Sequence, residues 1–308
     1  MSLLPATDEV VLPLWFRLGA RVRGLAVPLG LAGIGAAVVG NIILPAAWFP
    51  HTAAVALCLG GFVALVAGMA MTFIPGAPTI ATRAVASPVT GRWRAVNSPA
   101  TRVPSHGLHS LGQTFAIDLV YEPKQGARPA FGKGRSFRPS QDFPAFGQPL
   151  FAPAAGRVVT VRDSARDHRS RSSWPAITYM TLEAMIRELA GPRHVLGNHI
   201  VLDLGEGTYA AFAHLQHRSA TVRVGQQVQA GQLLGRCGNT GNSSEPHLHF
   251  QLMDHPRVIL AAGLPFAFTD ISINGSALQQ GVPATGEIMQ SSGTGLSGSQ
   301  ASTQPDQP

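Results

Sequence analysis

No aspartate, glutamate, lysine or arginine occurs between Arg23 and Arg83. A gap of that length excludes an ordinary water-facing surface for residues 24–82, because a solvated element carries charge on one side. The gap holds two apolar runs, near residues 25–44 and 52–74, broken by Pro45-Ala46-Ala47-Trp48-Phe49-Pro50-His51. Each run is close to the ~20 residues that cross a bilayer as helix. The break, with its prolines and tryptophan, suits a short interfacial turn. The expectation is a transmembrane helical hairpin over 24–75. Gly30, Gly33 and Gly40 on one run, and Gly60, Gly61 and Gly68 on the other, let two helices approach closely. A cleaved leader is the alternative for the first run, since Arg17, Arg21 and Arg23 precede it. Its length and the poor cleavage region at 41–50 favour the hairpin.

Cysteine is almost absent. Cys58 falls inside the second run and Cys237 lies far downstream, so there is no disulfide framework and the redox compartment is not revealed. Cys237 reads as a small core residue. Aromatic residues make up 7% of the chain, and no stacking aromatics are interleaved with the basic ones, which argues against a nucleic-acid partner. The formal net charge of +7 instead fits anionic surroundings such as lipid headgroups or wall polymers. After about Gly275 apolar content is low and Gly, Ser, Thr, Gln and Pro dominate. The expectation there is a disordered tail over 273–308.

What is present is chemistry at the other end of the chain. Gly238-Asn239-Thr240-Gly241-Asn242-Ser243-Ser244-Glu245-Pro246-His247-Leu248-His249-Phe250 reads as a glycine-rich turn feeding a strand. Residues two apart on a strand share a face, so His247 and His249 point one way and Leu248 and Phe250 the other. Neutral imidazole is a common zinc ligand. Alone, a His-x-His pair is as readily two polar residues on a wet strand face. Upstream, however, stand His214 in Ala213-His214-Leu215, and His106 and His109 before Asp118. A catalytic zinc site takes about three protein ligands and leaves a position open for water. Asp118, one histidine near it, and one of His247 and His249 meet that count, with two histidines left for proton transfer. His168, His194, His217 and His255 sit among arginine, serine or proline residues and read as solvated. His199 opens an apolar strand and is a weaker candidate near the cleft, and His51 reads as interfacial.

Gly238-Asn239-Thr240-Gly241 with Pro246-His247-Leu248-His249-Phe250, the Ala213-His214-Leu215 step and Ala116-Ile117-Asp118 together resemble the lysostaphin-type zinc endopeptidases, which cleave peptide bonds of bacterial peptidoglycan. Pro153–Val159 and Val224–Gly235 are similar to the core of that family. The resemblance implies Zn2+ held by a histidine before Asp118, Asp118 itself and His249, with His214 and His247 as the catalytic pair. Thr114 stands where the family's compact His-x-x-x-Asp has its histidine. His109, the nearer imidazole, is therefore the expected first ligand over His106, because a shorter loop is easier to fix. Phe212 replaces a family tyrosine, an exchange expected to remove a polar contact near the site.

The fold class implied is mainly β: an antiparallel sandwich-like or barrel-like core, a duplicated hybrid motif, behind an N-terminal two-helix transmembrane hairpin. Regularly spaced short strands agree with sheets packed face to face. The chain divides into a tail (1–23), the hairpin (24–75), a linker with the first strands (76–100), the peptidase domain (101–272) and the tail after it. Insertions fall near 124–148 and 163–195. The first reads as a long loop or flap. Residues 162–171 read as charged and exposed. In the second insertion, Leu182, Met185, Ile186 and Leu189 at helical spacing predict a short helix over 181–189 that packs on the sheet edge. The expected activity is a membrane-anchored hydrolase of the wall, and the alternative is a non-catalytic binding or regulatory module on the same scaffold. Arginines flank both ends of the hairpin and none lies in its turn, which by charge places the domain in the cytoplasm. The resemblance places it on the extracytoplasmic face.

Overall fold

A computed structural model describes residues 11–73, 76–125 and 128–292. Two helices come first, α1 (Leu14–Ile43) and α2 (His51–Phe73). The strands β1 (Arg83–Ala86), β2 (Gly91–Asn97), β3 (Ile117–Tyr121), β4 (Pro149–Phe151) and β5 (Gly156–Arg162) follow. Then come α3 (Trp174–Leu189), α4 (Pro192–Leu196), β6 (His199–Asp203), β7 (Tyr209–Ala213), β8 (Gln227–Val228), β9 (Leu233–Arg236) and β10 (Leu248–Met253). The last strands are β11 (Gly263–Leu264), β12 (Phe266–Ile273), β13 (Gln279–Gly281) and β14 (Ile288–Ser291).

The protein is mainly β. One large sheet runs β1-β12-β14-β2-β3-β10-β7-β6-β5-β8, with β11 on β10 and β13 on β12, and it is open rather than closed into a barrel. Its pairs are antiparallel except β1 on β12. A small second sheet pairs β4 with β9. The core lies behind β10, where Phe250 meets the rings of Phe212, Phe266 and Phe268 at centroid distances of 5.3, 5.2 and 5.6 Å. Leu248 and Leu252 are buried in the same cluster. The period of two along β10 thus divides apolar from histidine positions. Phe212 points into this core, not toward the histidines, so the tyrosine-to-phenylalanine exchange removes no polar contact at the site.

The helices α1 and α2 are each long and apolar enough to cross a membrane. They pack through the glycines: a Cβ on Gly30 would stand 2.6 Å from the Gly61 carbonyl oxygen, closer than any real side chain. Helix α1 has 30 residues and so runs about 45 Å, longer than a hydrocarbon core of roughly 30 Å. Its first turns are spent on the domain. Phe16 and Ala20 join the main core cluster, and Arg21 reaches Asp254 at 3.0 Å and the Leu260 carbonyl. Gly24 abuts the Ile259 carbonyl too closely for any side chain.

Several segments depart from expectation. The region after residue 272 is not disordered as far as it is described: β14 pairs with both β12 and β2 and carries buried Met289. Sparse apolar residues suffice because the strand fills an existing gap in the sheet. Residues 293–308 of the expected tail, and the first ten residues, lie outside the described chain. Residues 162–171 are not a free charged stretch. Asp163 accepts the backbone N–H groups of Ser219 and Ala220, Asp167 accepts those of His217 and Asn239, and Arg171 is buried against Glu183. The charges are satisfied inside the fold instead of by water. Ala220–Val224 forms no strand, and β8 stands a few residues later.

Truncating Phe250→Ala should destabilise the fold by about 3–5 kcal/mol through loss of the aromatic centre. Chemical denaturation of the full chain followed by intrinsic fluorescence checks this; a change under about 1 kcal/mol would show that the cluster is not the keystone of the core.

Candidate metal and catalytic site

Three adjacent strands assemble the site. Asp118 of β3 is in register with His249 of β10, and His249 is in register with Ala213 of β7. His214 follows Ala213 with a φ of 62°, a left-handed step that ends β7. His247 enters just before β10 from the glycine-rich turn. Gly241 in that turn has a φ of 76°, and a Cβ there would strike the Gly197 backbone, so the turn sits hard against the α4–β6 connection.

Asp118 is the centre. Its Oδ2 lies 2.8 Å from His106 Nε2 and accepts a hydrogen bond from Asn97 Nδ2 at 2.7 Å. Its Oδ1 lies 2.9 Å from His249 Nδ1 and 3.6 Å from His247 Nε2. The ring of His214 lies 4.8 Å from that of His247 and 5.8 Å from that of His249. His106, Asp118 and His249 each offer one donor atom, all within 4.8 Å of one another.

The outer nitrogens fix the tautomers. A carbonyl only accepts, so His214 Nδ1–H donates to Thr240 O at 2.8 Å and His247 Nδ1–H donates to Glu245 O at 2.8 Å. Each therefore turns its Nε2 toward the Asp118 side of the site. Gln251 Nε2 donates to Leu111 O at 2.8 Å, which orients the amide so that its Oε1 accepts from His249 Nε2–H at 2.9 Å. Ser105 Oγ donates to Gln113 O at 3.3 Å and accepts from His106 Nδ1–H at 2.9 Å. In the neutral rings the lone pairs of His106 Nε2 and His249 Nδ1 are then directed at the Asp118 carboxylate, where a cation would sit; a proton on either nitrogen fills the same place and donates to Asp118 at 2.8 or 2.9 Å.

Charge follows this geometry. Burial alone would raise the Asp118 carboxyl, but the facing His106 and His247 rings and the bonds from His106 and His249 hold it well below the usual carboxylate range. His214 is pushed well below an ordinary histidine, first by burial and then by the neighbouring imidazoles. Burial opposes charge on His249 too, but its bonds to Asp118 and Gln251 carry it upward.

Two imidazole nitrogens and one carboxylate oxygen are a donor set that suits zinc. Tetrahedral bonds of about 2.0–2.2 Å separate donors by roughly 3.3 Å, inside the 4.8 Å within which the three donor atoms lie. Among the expected residues, Asp118, His214, His247 and His249 come together. His109 does not join them, and His106 takes the place beside Asp118. The His109 ring is buried, its Nδ1 stands 3.1 Å from Thr114 Oγ1, and it packs edge-on to Phe16 of α1. Its backbone N–H donates to Thr72 O of α2. Loop length misled because the left-handed Leu111 and Gly112 fold the loop back and present the earlier imidazole.

Other histidines also differ from a solvated reading. His168 is half-buried and its Nε2–H donates to Gly241 O at 2.9 Å, bracing the catalytic turn. His199, expected as a weaker candidate near the cleft, lines a depression with Pro192, Leu196 and Val258. Burial pushes the Cys237 thiol up, in keeping with a core role. Asn97, Ser105 and Thr240 gave no signal in the sequence. Gln251 did, since it lies two residues beyond His249 on the same strand face.

Part of the chain is similar to known proteins. Residues 180–259 match the model of peptidase family M23, a stretch that includes His214, His247 and His249. The peptidoglycan DD-endopeptidase ShyA of Vibrio cholerae is 37% identical over 73 residues, 23% of this chain and 16% of that protein. Lysostaphin of Staphylococcus simulans is 45% identical over 58 residues, 18% of this chain and 11% of that protein. The chain thus matches less than a fifth of the length of these curated relatives. The solved catalytic domain of lysostaphin from Staphylococcus simulans aligns over 55% of this chain and 84% of that one, at 20% identity and a TM-score of 0.29. Residues 180–259 are thus similar to peptidase family M23, and His214, His247 and His249 fall within the matched stretch.

Proposed function

We propose that the chain is a membrane-anchored zinc endopeptidase that hydrolyses peptide bonds of bacterial peptidoglycan. The observation that carries this reading is the buried Asp118 carboxylate with His106 Nε2 and His249 Nδ1 beside it, both tautomers set by outer partners. His106, Asp118 and His249 would hold the ion. When bound, zinc lowers the pKa of a coordinated water to about 7 and polarises a substrate carbonyl as a Lewis acid.

The chain's own residues do the rest. Burial and the neighbouring imidazoles keep His214 neutral, with Nδ1–H tied to Thr240 O and the Nε2 lone pair left as a hydrogen-bond acceptor. His247 holds its Nε2 within 3.6 Å of Asp118 Oδ1, with Nδ1–H tied to Glu245 O. The two rings form a pair that takes a proton from the attacking water and returns it to the leaving amine. Arg128 pairs with Glu245 at 2.9 Å, which fixes the loop around residues 128–148 as a wall beside the turn carrying His247. The relatives' names supply the substrate class: a peptidoglycan DD-endopeptidase and a glycyl-glycine endopeptidase are among them.

The hairpin would anchor the domain, and we place the domain on the extracytoplasmic face, where wall peptides lie. The arginines that read as cytoplasmic flank charges have partners in the fold: Arg17 and Arg21 with Asp254, Arg83 with Glu206, Arg94 with Glu122.

Release of new amino termini from purified wall material, with and without a chelator, tests the activity. Wall binding with no release would instead identify a binding module. Zinc content separates the two candidate ligands. His106→Ala should lose the metal, whereas His109→Ala should retain it while losing the contact with Thr114 and packing against Phe16. His214→Ala and His247→Ala should each keep near-stoichiometric zinc while the rate falls about 10²–10⁴-fold. Gln251→Ala should weaken zinc binding about 10–100-fold, read by competition with a chromogenic chelator. An unchanged affinity would mean that the amide does not set the His249 tautomer.

A further inference from the structure

Helix α3 is built with its polarity reversed. Glu183 and Arg187 are partly covered and paired, Glu183 also with buried Arg171, while Trp174, Leu182, Met185, Ile186 and Leu189 stand exposed. Leu189 and Trp174 are each 75% exposed and Ile186 69%. Of the 16 residues in the helix, the buried one is Ala176. This corrects the expected packing on the sheet edge: Leu182, Met185, Ile186 and Leu189 do share one helix face, but that face points away from the domain. The helix is nevertheless firmly placed. Ser173 caps its N-terminus by accepting from Ala176 N–H, Arg171 ties Glu183 down, and Phe131 and Phe137 of the first insertion pack on Trp174 and Tyr179. A rigid helix that turns its apolar side outward needs an apolar surface to rest on.

We propose that this face of α3 seats in the interfacial layer of the membrane that the hairpin spans. The inference rests on the hairpin's being in a bilayer and is independent of the peptidase reading. Continuity with the α1 interface identifies the occupant. Helix α4 follows α3 after two residues, and its Pro192, Arg193 and Leu196 share a depression with Pro256, Arg257 and Val258. The next residue, Ile259, abuts Gly24, where α1 becomes charge-free and its excess length over the hydrocarbon core ends. At that entry point α4 continues directly from α3, which it touches. Exposed Arg193 and Arg257 lie along this path, placed to meet anionic headgroups. An apolar face with tryptophan at one end and arginine beyond the other is the composition of a helix lying in an interface.

The test uses the full chain in nanodiscs of phosphatidylcholine mixed with phosphatidylglycerol, carrying Cys58→Ala; Cys237 is fully buried and does not label. Spin labels are attached after Met185→Cys on α3, Val38→Cys within α1, or Val224→Cys on an exposed loop of the domain. Accessibility to oxygen is compared with accessibility to a water-soluble nickel complex. The expected result is an oxygen-to-nickel ratio at positions 185 and 38 higher than at 224, by roughly threefold or more. Three results would overturn the proposal. Position 185 matching 224 while 38 lies in lipid leaves α3 in water. A label at 185 shielded from both reagents shows a protein partner or a second copy covering the face. Position 38 matching 224 removes the membrane itself, and the peptidase reading survives that outcome.

Discussion

Asp118 is a carboxylate withdrawn from water and kept ionised by what surrounds it. Three imidazoles approach its two oxygens, an amide donates to one of them, and His214 closes the ring from behind. Removing a carboxylate from water is costly unless it is paired. Here the pairing spans β2, the loop before β3, β3 itself and β10, elements far apart in the chain. The strand order follows from this demand: β3 and β7 flank β10, so one register brings Asp118, His249 and the end of β7 together. Each histidine also has a second partner: Ser105, Glu245 and Thr240 lie outside the strands, and Gln251 lies on β10 itself. The glycine-rich turn with positive φ is therefore as much part of the site as the rings it orients.

The same strand ties the site to the helices. Strand β10 carries His249 and Gln251, and the residue after it, Asp254, takes Arg17 and Arg21 of α1. The loop holding His106 is pinned at His109, whose N–H meets the end of α2 and whose ring meets Phe16. His109 thus belongs to the contact between hairpin and domain, a use for a buried histidine that asks for packing rather than ligation.

Much of this was legible in the sequence where the pattern is local. Alternation around His247-Leu248-His249-Phe250 foretold which side of β10 is core, and His199–Asp203 and Gly156–Arg162 were read at their observed limits. The charge gap foretold two long helices. Long-range partners were not legible. The choice between His106 and His109 depended on left-handed Leu111 and Gly112, and nothing in loop length reports that fold-back. Asp163 and Asp167 looked like solvated charge because their backbone partners lie about 50 to 70 residues away. Helix α3 was seen from its spacing, but periodicity gives a face and not a direction, so the side it buries was inverted. Its start was overlooked although Ser173 ahead of Trp174-Pro175 is a cap with proline in the first turn.

The ion pairs between α1 and Asp254 have a mechanical meaning. A domain joined to its anchor by a flexible stalk sweeps a volume and works at many heights. This one has its first helix built into its own core and its β10 strand clamped to that helix, so it has no stalk on that side. With the hairpin in a bilayer, the Asp118 cluster would be held at a fixed altitude relative to the lipid, and a polymer would have to come to that plane to reach it.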